Sequence, residues 1–186
     1  MTQPSDRGRF EAAVLPHLDA AYNLARWLTR DPDEAGDAVQ EATLRAWRFF
    51  AGFHGDDARP WFLRIVRNTV LTWKERRGGA NIVPFSALER EDGSSPLDEL
   101  AAPDEDPEGL LQRVEELALA DRLLARLPPN FREVLVLREL EELSYREIAE
   151  IVQTPIGTVM SRLARARQLL MSYHDQSVQE EQGRAV

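Results

Sequence analysis

The side chains with the plainest chemical role lie near the C-terminus, where hydroxyl and guanidinium groups recur at helical spacing. Because neighbours three or four residues apart share a helix face, one face would carry them all. No acidic residue occurs between Thr154 and Tyr173. Such a face can enter the major groove of DNA and contact phosphates and base edges, whereas the alternative is a surface helix with solvated arginines. The residues of this face are Thr158, Ser161, Arg162 and Arg165.

Two short helices would position this face, and the sequence contains a start signal for each. Ser144 and Glu147 have the spacing of a capping box, in which each side chain binds a backbone N–H group of the other residue. Thr154 can cap the second helix, with Pro155 at its first position, where a missing N–H group is harmless. A turn of about three residues separates the helices, as a helix-turn-helix requires. The sequence therefore predicts a helix-turn-helix over Leu143–Leu163.

Composition limits the chemistry elsewhere in the 186 residues. No cysteine is present, which excludes disulfides, thiolate metal sites and a cysteine nucleophile. His17, His54 and His174 lack metal-ligand spacing, and no phosphate-binding glycine loop or nucleophile elbow occurs. We therefore expect no enzyme activity, no metal site and no cofactor. No apolar run approaches the roughly 18–20 residues of a membrane span, nor is there a signal-peptide core, so we expect a cytoplasmic protein without membrane insertion.

The net charge of −9 is concentrated in the middle of the chain. From Gly78 to Asp121 there are twelve acidic residues and two basic ones, so the two ends together are close to neutral. Proline, serine and glycine with little periodicity accompany the acidic run, which predicts a flexible linker. The mean charge therefore does not exclude nucleic acid, because local basic faces remain at both ends.

Outside this acidic middle, apolar residues recur with a helical period, and no alternating strand pattern appears. Pro16 should break or kink the first helix. The pair Asp31-Pro32 is a cap followed by a first-turn proline, and Asn130 with Glu133 has the spacing of a further capping pair. The polar tail from Gln176 is expected to fray. The predicted helices are about Arg7–Arg30, Pro32–Phe50, Pro60–Arg77, Pro107–Leu127 and Phe131–Glu139.

Four segments, taken together and in order, resemble bacterial sigma factors of the sigma-70 class, in particular the short extracytoplasmic-function group. Asp37–Trp47 resembles the family's polymerase-binding segment, and Trp61–Asn68 resembles its −10 recognition helix. Leu127–Val134 and Leu143–Leu163 resemble its −35-binding domain, with the acidic linker between the second and third segments. The resemblance spans most of the chain, from Phe10 to Leu170.

The resemblance implies an all-α fold of two small helical domains joined by a flexible acidic linker. Residues 1–78 would form sigma region 2, the helical bundle that binds core polymerase and recognises and melts the −10 element. Residues 79–106 would be the linker, 107–175 sigma region 4 with its helix-turn-helix, and 176–186 a disordered tail. The implied function is that of an alternative sigma factor, which directs promoter-specific transcription initiation by RNA polymerase.

The resemblance also assigns partners. The first domain would bind the clamp helices of the largest subunit of core RNA polymerase. The C-terminal domain would bind the polymerase flap, and both domains would contact promoter DNA. A cognate anti-sigma factor is a further expected partner, held between or wrapped around the two domains. No cofactor is implied.

Roles for single residues follow from the same segments. On the second helix, residues three to four apart give one polar face edged by apolar groups. Leu44 or Arg45 is also expected near the buried side of this helix.

Promoter opening requires an unpaired base to leave the stack. Stacking and edge hydrogen bonds to the protein can recover the energy that this requires. Phe53 matches the family position that packs on such a base. Asn68 offers a donor and an acceptor to a base edge, while basic residues hold the backbone.

The residues implied for core-polymerase binding are Asp37, Gln40, Glu41, Leu44, Arg45 and Trp47. Those implied for −10 DNA are Phe53, His54, Trp61, Arg64, Arg67, Asn68, Lys74, Arg76 and Arg77. Those implied for −35 DNA are Thr154, Pro155, Thr158, Ser161, Arg162, Arg165 and Arg167. Core packing is the alternative interpretation for Phe53 and Trp61. No catalytic residue and no metal ligand are predicted.

Three positions depart from the family pattern. Thr72 stands where aspartate is usual, so an aspartate contact is lost and the following Trp73 changes the end of that helix. Gln153 stands in the helix-turn-helix turn where glycine is usual because the backbone is left-handed, at a penalty of order 1 kcal/mol. Met160 stands where lysine or arginine is frequent. We expect these changes to affect promoter preference.

Two other functions would use similar segments. A sigma-like decoy binds an anti-sigma protein instead of DNA, but such proteins carry a receiver domain, for which this chain has no βα pattern. A dimeric helix-turn-helix regulator would need a dimerisation helix and two-fold palindromic sites. A sigma factor instead reads non-palindromic −35 and −10 elements about two helical turns apart, so the arrangement of its DNA sites separates the two hypotheses.

Overall fold

The computed structural model describes residues 4–77 and 107–184, and every regular element within these ranges is a helix. This confirms the predicted all-α class. The predicted acidic linker lies outside the described residues. Short 3-10 turns occupy Leu15–His17 and Phe50–Gly52. The α-helices are α1 (Pro4–Val14), α2 (Leu18–Thr29), α3 (Pro32–Phe49), α4 (Ala58–Arg76), α5 (Pro107–Arg126), α6 (Pro129–Glu139), α7 (Tyr145–Val152) and α8 (Ile156–Arg184).

Local signals set the boundaries of the first three helices as predicted. The 3-10 turn around Pro16 separates α1 from α2, since proline cannot supply an N–H group to a continuous helix. Asp31 caps α3, and its carboxylate accepts hydrogen bonds from the backbone N–H groups of Asp33 and Glu34 at 2.9 and 3.0 Å. Pro32 follows at the first helical position, as the cap pattern predicts.

The helices α2, α3 and α4 pack on one another around Leu24, Phe62 and Leu63, which are fully buried. The buried stripe of α3 consists only of alanines, which let its backbone approach its neighbours closely: Ala35, Ala38, Ala42 and Ala46. The prediction that Leu44 lies near the buried side is wrong, because this residue is 56% exposed. Leu44 falls two residues beyond Ala42, on the far side of the helix from the stripe.

The predicted capping pair at the start of α6 is also wrong. The helix begins at Pro129 with Pro128 as its N-cap, and no side chain caps it. Proline is pre-set for the first helical position, so the helix begins two residues earlier than expected and carries Asn130 inside its first turn. Glu133 therefore takes no part in capping, and its carboxylate accepts hydrogen bonds from Arg67 of α4.

The helix-turn-helix forms over α7 and the start of α8, as predicted. Ser144 and Glu147 make both hydrogen bonds of the capping box, at 2.7 and 3.3 Å. Gln153 adopts the left-handed conformation expected for the turn, with φ 54° and ψ 45°. Thr154 does not cap α8, since its buried hydroxyl has no hydrogen-bond partner. The helix begins at Ile156, and the Pro155 carbonyl accepts its first hydrogen bonds, so the start lies one residue later than predicted.

Packing divides the chain into two compact units, which we describe separately. Of the described residues, one unit comprises 4–77 and Leu127–Ser172, and the other comprises 107–126 and 173–184. The predicted domain boundaries, 1–78 and 107–175, stay a prediction. In the second unit, α8 continues to Arg184, where a frayed tail was predicted from Gln176. Arg126 contacts the start of this segment, where its guanidinium lies 4.3 Å from the Tyr173 ring and donates to the Gln176 amide oxygen at 2.8 Å.

Candidate DNA and polymerase contact surfaces

A polar surface runs along α3, opposite its alanine stripe. Asp37, Gln40 and Leu44 are exposed in successive turns, as the predicted polymerase-binding face requires. Glu41 and Arg45 lie beside them and form an ion pair one turn apart. Trp47, which belongs to the same predicted set, is half-buried and packs edge-on against Phe10 with 5.0 Å between ring centroids. The structure thus brings together the first five residues and places Trp47 in the packing beneath them. We call Asp37, Gln40, Glu41, Leu44 and Arg45 the α3 surface.

A cluster of aromatic rings lies where the loop after α3 meets the start of α4. The Phe53 and Trp61 rings are 4.7 Å apart, and Phe53 stacks on Phe50 at 6.1 Å. Gly55 lies close to this cluster, because a Cβ atom there would lie 3.0 Å from the Phe53 ring and the ring would have to shift by a few tenths of an ångström. Asp57 completes the loop by capping α4, accepting a hydrogen bond from the Arg59 N–H group at 2.9 Å.

An open cleft of about 630 Å³ adjoins Phe53. His54 and Phe53, both predicted to contact −10 DNA, line it together with Arg9 and His17 from the first helical segment. Burial lowers the pKa of His17, which therefore lies below the usual 6.5. Neither Arg9 nor His17 was predicted for this site. Their place in it depends on how α1 packs, which no local pattern in the sequence reveals.

The predicted −10 residues of α4 separate onto different sides of the helix. Trp61, Arg64 and Asn68 follow one another at intervals of three and four residues, so they share a single half-buried face. We call these three residues with Phe53 the −10 surface. Arg67 lies on a neighbouring flank, and its guanidinium forms two hydrogen bonds with the Glu133 carboxylate, one of them at 3.2 Å. The side chains of this pair are only 14% and 6% exposed.

Two further basic residues at the end of α4 also have intramolecular partners. Although Lys74 as a whole is exposed, its amine donates to the Leu28 carbonyl. Burial lowers the pKa of this amine, and repulsion by Arg132 lowers it further. Arg77 pairs with Glu34 of α3. Arg76 is exposed. Of the predicted −10 set, Trp61, Arg64 and Asn68 therefore share one face of α4, Phe53 contacts Trp61, and His54 lines the cleft beside Phe53.

Helices α6 and α7 pack against α2 and α4, and polar groups that the sequence interpretation missed hold this contact. The buried Glu141 carboxylate accepts hydrogen bonds from Arg59 at 2.9 Å and from Asn23 at 3.2 Å. Arg132 donates to the carbonyls of Leu127, at 2.7 Å, and Trp27, at 3.4 Å. Burial, with repulsion from Arg30, lowers the pKa of Arg132 to about 10.

The predicted −35 residues fall on two opposite sides of α8. Thr158, Arg162 and Arg165 follow the same face, and the Ser161 hydroxyl beside them donates to the Thr158 carbonyl at 3.0 Å. We call these four residues the α8 surface. Arg167 lies nine residues from Thr158, about half a turn round the helix at roughly 100° per residue. Its guanidinium binds Glu139 of α6 at 2.6 and 3.2 Å, across the buried stripe of Val159, Leu163 and Ala166.

Comparison with known proteins identifies the family. Residues 13–79 match the family model for sigma-70 region 2, and residues 117–170 match that for sigma-70 region 4. The RNA polymerase sigma-H factor of Pseudomonas aeruginosa is 36% identical over 172 residues, which cover 90% of this chain and 87% of that protein. The ECF RNA polymerase sigma-E factor of Escherichia coli is 37% identical with the same coverage.

Solved structures agree in fold. The sigma factor RpoE of Bartonella quintana, in complex with the anti-sigma factor NepR, matches with a TM-score of 0.67 at 26% identity, over 88% of this chain and 95% of that one. CnrH, in complex with the cytosolic domain of CnrY, matches with a TM-score of 0.63 at 23% identity, over 91% of this chain and 90% of that one. Among the described residues, none of the helices is long and apolar enough to cross a membrane.

The matches to both family models and to the two sigma factors show that the chain belongs to the sigma-70 family, as an RNA polymerase sigma factor of the extracytoplasmic-function group.

Proposed function

We propose that this sigma factor divides its work among the α3, −10 and α8 surfaces. The α3 surface binds core polymerase, the −10 surface captures the opened −10 element, and the α8 surface reads the −35 element. The observation that carries the proposal is that three faces with different chemistry are at least partly exposed at separate places, on α3, on α4 with the loop before it, and on α8. The chain acts in the cytoplasm and supplies no catalytic group, since its role is to position polymerase and promoter.

Polymerase binding by the α3 surface rests on its mixed chemistry. Asp37 and Gln40 offer hydrogen-bonding groups, and the exposed Leu44 offers apolar area that water leaves on binding. The clamp helices of the largest polymerase subunit are the partner that the family resemblance implies. A helix face of this kind suits docking on other helices, because side chains spaced by three and four residues can interlock with those of a second helix.

Capture of an unpaired base by the −10 surface rests on the aromatic cluster and its cleft. Flipping a base out of its stack costs a free energy of a few kcal/mol, and stacking of that base on an aromatic ring recovers about 1–3 kcal/mol. Phe53 borders a cleft large enough for a base, with His54 beside it. Asn68 can then read a base edge, while Arg64 on the same face can hold the phosphate backbone.

Reading of the −35 element rests on the α8 surface. Arg162 and Arg165 supply positive charge for phosphates and donors for base edges, and the hydroxyls of Thr158 and Ser161 add shorter contacts. The predicted contacts from Thr154 and Pro155 would add to these at the start of the helix. Arg167 is excluded from this surface in our proposal, because it is paired with Glu139 on the opposite side.

Regulation by an anti-sigma factor is part of the proposal. The solved RpoE and CnrH structures were each determined with a bound partner, named as the anti-sigma factor NepR and the cytosolic domain of CnrY. We infer that a cognate anti-sigma protein binds this chain as well, and covers surfaces that polymerase or DNA would otherwise contact.

A comparison of paired variants tests the division of labour. The Arg162→Ala, Arg165→Ala variant should bind a −35 duplex severalfold more weakly and bind core polymerase as wild type does. The Asp37→Ala, Gln40→Ala variant should bind core polymerase more weakly and bind the −35 duplex as wild type does. Arg167→Ala is the matched control, since it removes an α8 arginine from the opposite face and should retain both activities. Equal loss of DNA and core binding in both paired variants would contradict the proposal.

A further inference from the structure

The last turn of α4 contacts the α3 surface through a tryptophan. The Trp73 indole N–H donates a hydrogen bond to one Glu41 carboxylate oxygen at 2.8 Å. The other Glu41 oxygen is paired with Arg45. Both oxygens of Glu41 are therefore engaged, and the carboxylate links an α3 arginine to an α4 indole. Trp73 follows directly after Thr72, where the sequence departs from the family pattern.

The same indole lines a second, smaller cleft beside Asp37. This cleft has a volume of about 230 Å³ and is otherwise bordered by Glu34, Arg76 and Arg77. Arg77 pairs with Glu34, and its guanidinium lies 6.0 Å from the Trp73 ring. Two basic residues that the sequence assigned to DNA thus border the polymerase-binding side of the bundle.

We propose that the last turn of α4 is part of the polymerase-binding surface, with Trp73 as a positioning residue for Glu41 and Arg45. This inference rests on the proposed function of the α3 surface. An ion pair on a helix surface is weak by itself, because two long side chains must lose rotamer freedom to keep one geometry. The indole hydrogen bond fixes Glu41 before polymerase arrives, and Glu41 in turn fixes the Arg45 guanidinium. Binding then loses less side-chain freedom, which raises affinity.

Removal of the N–H donor from Trp73 should weaken core binding without unfolding the chain. Trp73→Phe keeps an aromatic ring in place and deletes only the donor and part of the ring area. Because the indole hydrogen bond acts by ordering Glu41 and Arg45 before polymerase binds, its loss should weaken core binding roughly tenfold, the cost of ordering one or two flexible side chains on binding. Trp27→Phe is the matched control, because it trims a half-buried indole of α2 outside this surface.

The test measures the Kd of the full-length protein for purified core polymerase in a double-mutant cycle. Trp73→Phe should weaken binding roughly tenfold in the wild-type chain and have little further effect in a Glu41→Ala background. Binding of a −35 duplex should be unchanged, which a purely structural loss would not preserve. The inference is overturned if Trp73→Phe binds core as wild type does, or if its effect is equal in both backgrounds.

The Asp37→Ala, Gln40→Ala variant separates this inference from the function on which it rests. If that variant loses core binding and Trp73→Phe does not, the α3 surface stands and only the role of Trp73 fails. If that variant binds core as wild type does, the proposed function of α3 fails and the inference falls with it.

Discussion

Glu133→Gln would remove the charge from one side of a buried ion pair that joins α6 to α4. Arg67 and Glu133 share two hydrogen bonds, and their side chains are 14% and 6% exposed. Loss of one partner from a buried pair typically destabilises by 3–5 kcal/mol, because the remaining charge is left without compensation. Glutamine keeps an acceptor for Arg67, so we expect an effect near the lower end, about 3 kcal/mol.

This loss should act on the packing of α6 and α7 against α2 and α4, because separation of these helices returns Arg67 to water. The chain has no cysteine, so two introduced cysteines can carry a fluorophore pair without further changes. Asp19 of α2 and Arg146 of α7 are exposed positions for the labels. We expect lower energy-transfer efficiency in Glu133→Gln than in the wild-type chain, and a larger drop when Glu141→Gln is added, since Glu141 binds Arg59 and Asn23.

Glu139→Gln is the matched control for that experiment. Glu139 is also on α6 and also pairs with an arginine, but the Glu139 and Arg167 side chains are 50% and 47% exposed. An exposed pair of this kind contributes less than about 1 kcal/mol. Unchanged energy transfer and unchanged thermal stability in Glu133→Gln would refute the reasoning, as would equal effects of Glu133→Gln and Glu139→Gln.

Three further changes have expected outcomes. Gln153→Gly should raise the free energy of unfolding by up to about 1 kcal/mol in urea titrations, since the turn is left-handed; destabilisation would contradict this. Stability should fall as pH decreases below 6.5, because burial lowers the pKa of His17 in the folded chain, so the unfolded chain takes up the proton first. His17→Gln should flatten that dependence, and an unaltered slope would exclude His17 as its cause. Gly55→Ala should displace the Phe53 ring and reduce promoter opening, measured by permanganate reactivity of unpaired thymines, without loss of core binding; wild-type opening would argue against Phe53 as the base platform.

Features that depend on near neighbours in the chain were predictable from the sequence. The Asp31 cap, the break at Pro16 and the capping box of Ser144 and Glu147 each involve residues within four positions of one another. The left-handed conformation of Gln153 was predictable too, because a helix-turn-helix turn leaves little choice of backbone geometry. In all these cases the local hydrogen bonds decide the structure.

Features that depend on distant partners were not predictable. Asn130 and Glu133 have capping-box spacing, but the two prolines before them start the helix earlier, and Arg67 binds Glu133 from 66 positions away. Likewise, the pairing of Arg167 with Glu139 and of Arg77 with Glu34 was not predictable, because charge is visible in a sequence and its partner is not. DNA contact by these two arginines stays a prediction.

The exposure of Leu44 on α3 was not predictable from its apolar side chain. Four alanines form the buried stripe of α3, and the larger Leu44 faces outward. A search for large apolar residues therefore misplaces Leu44 on this helix. The requirement for close approach between α2, α3 and α4 favours small side chains at the contact instead.

Run-off transcription with purified core polymerase on a library of promoter fragments tests the central claim most directly. The account predicts transcripts that start at defined positions and share non-palindromic −35 and −10 elements about two helical turns apart. It also predicts that transcription by the Arg162→Ala, Arg165→Ala variant depends less on the −35 sequence, while its dependence on the −10 sequence is unchanged. Transcription no different from that of core polymerase without this protein would contradict the account.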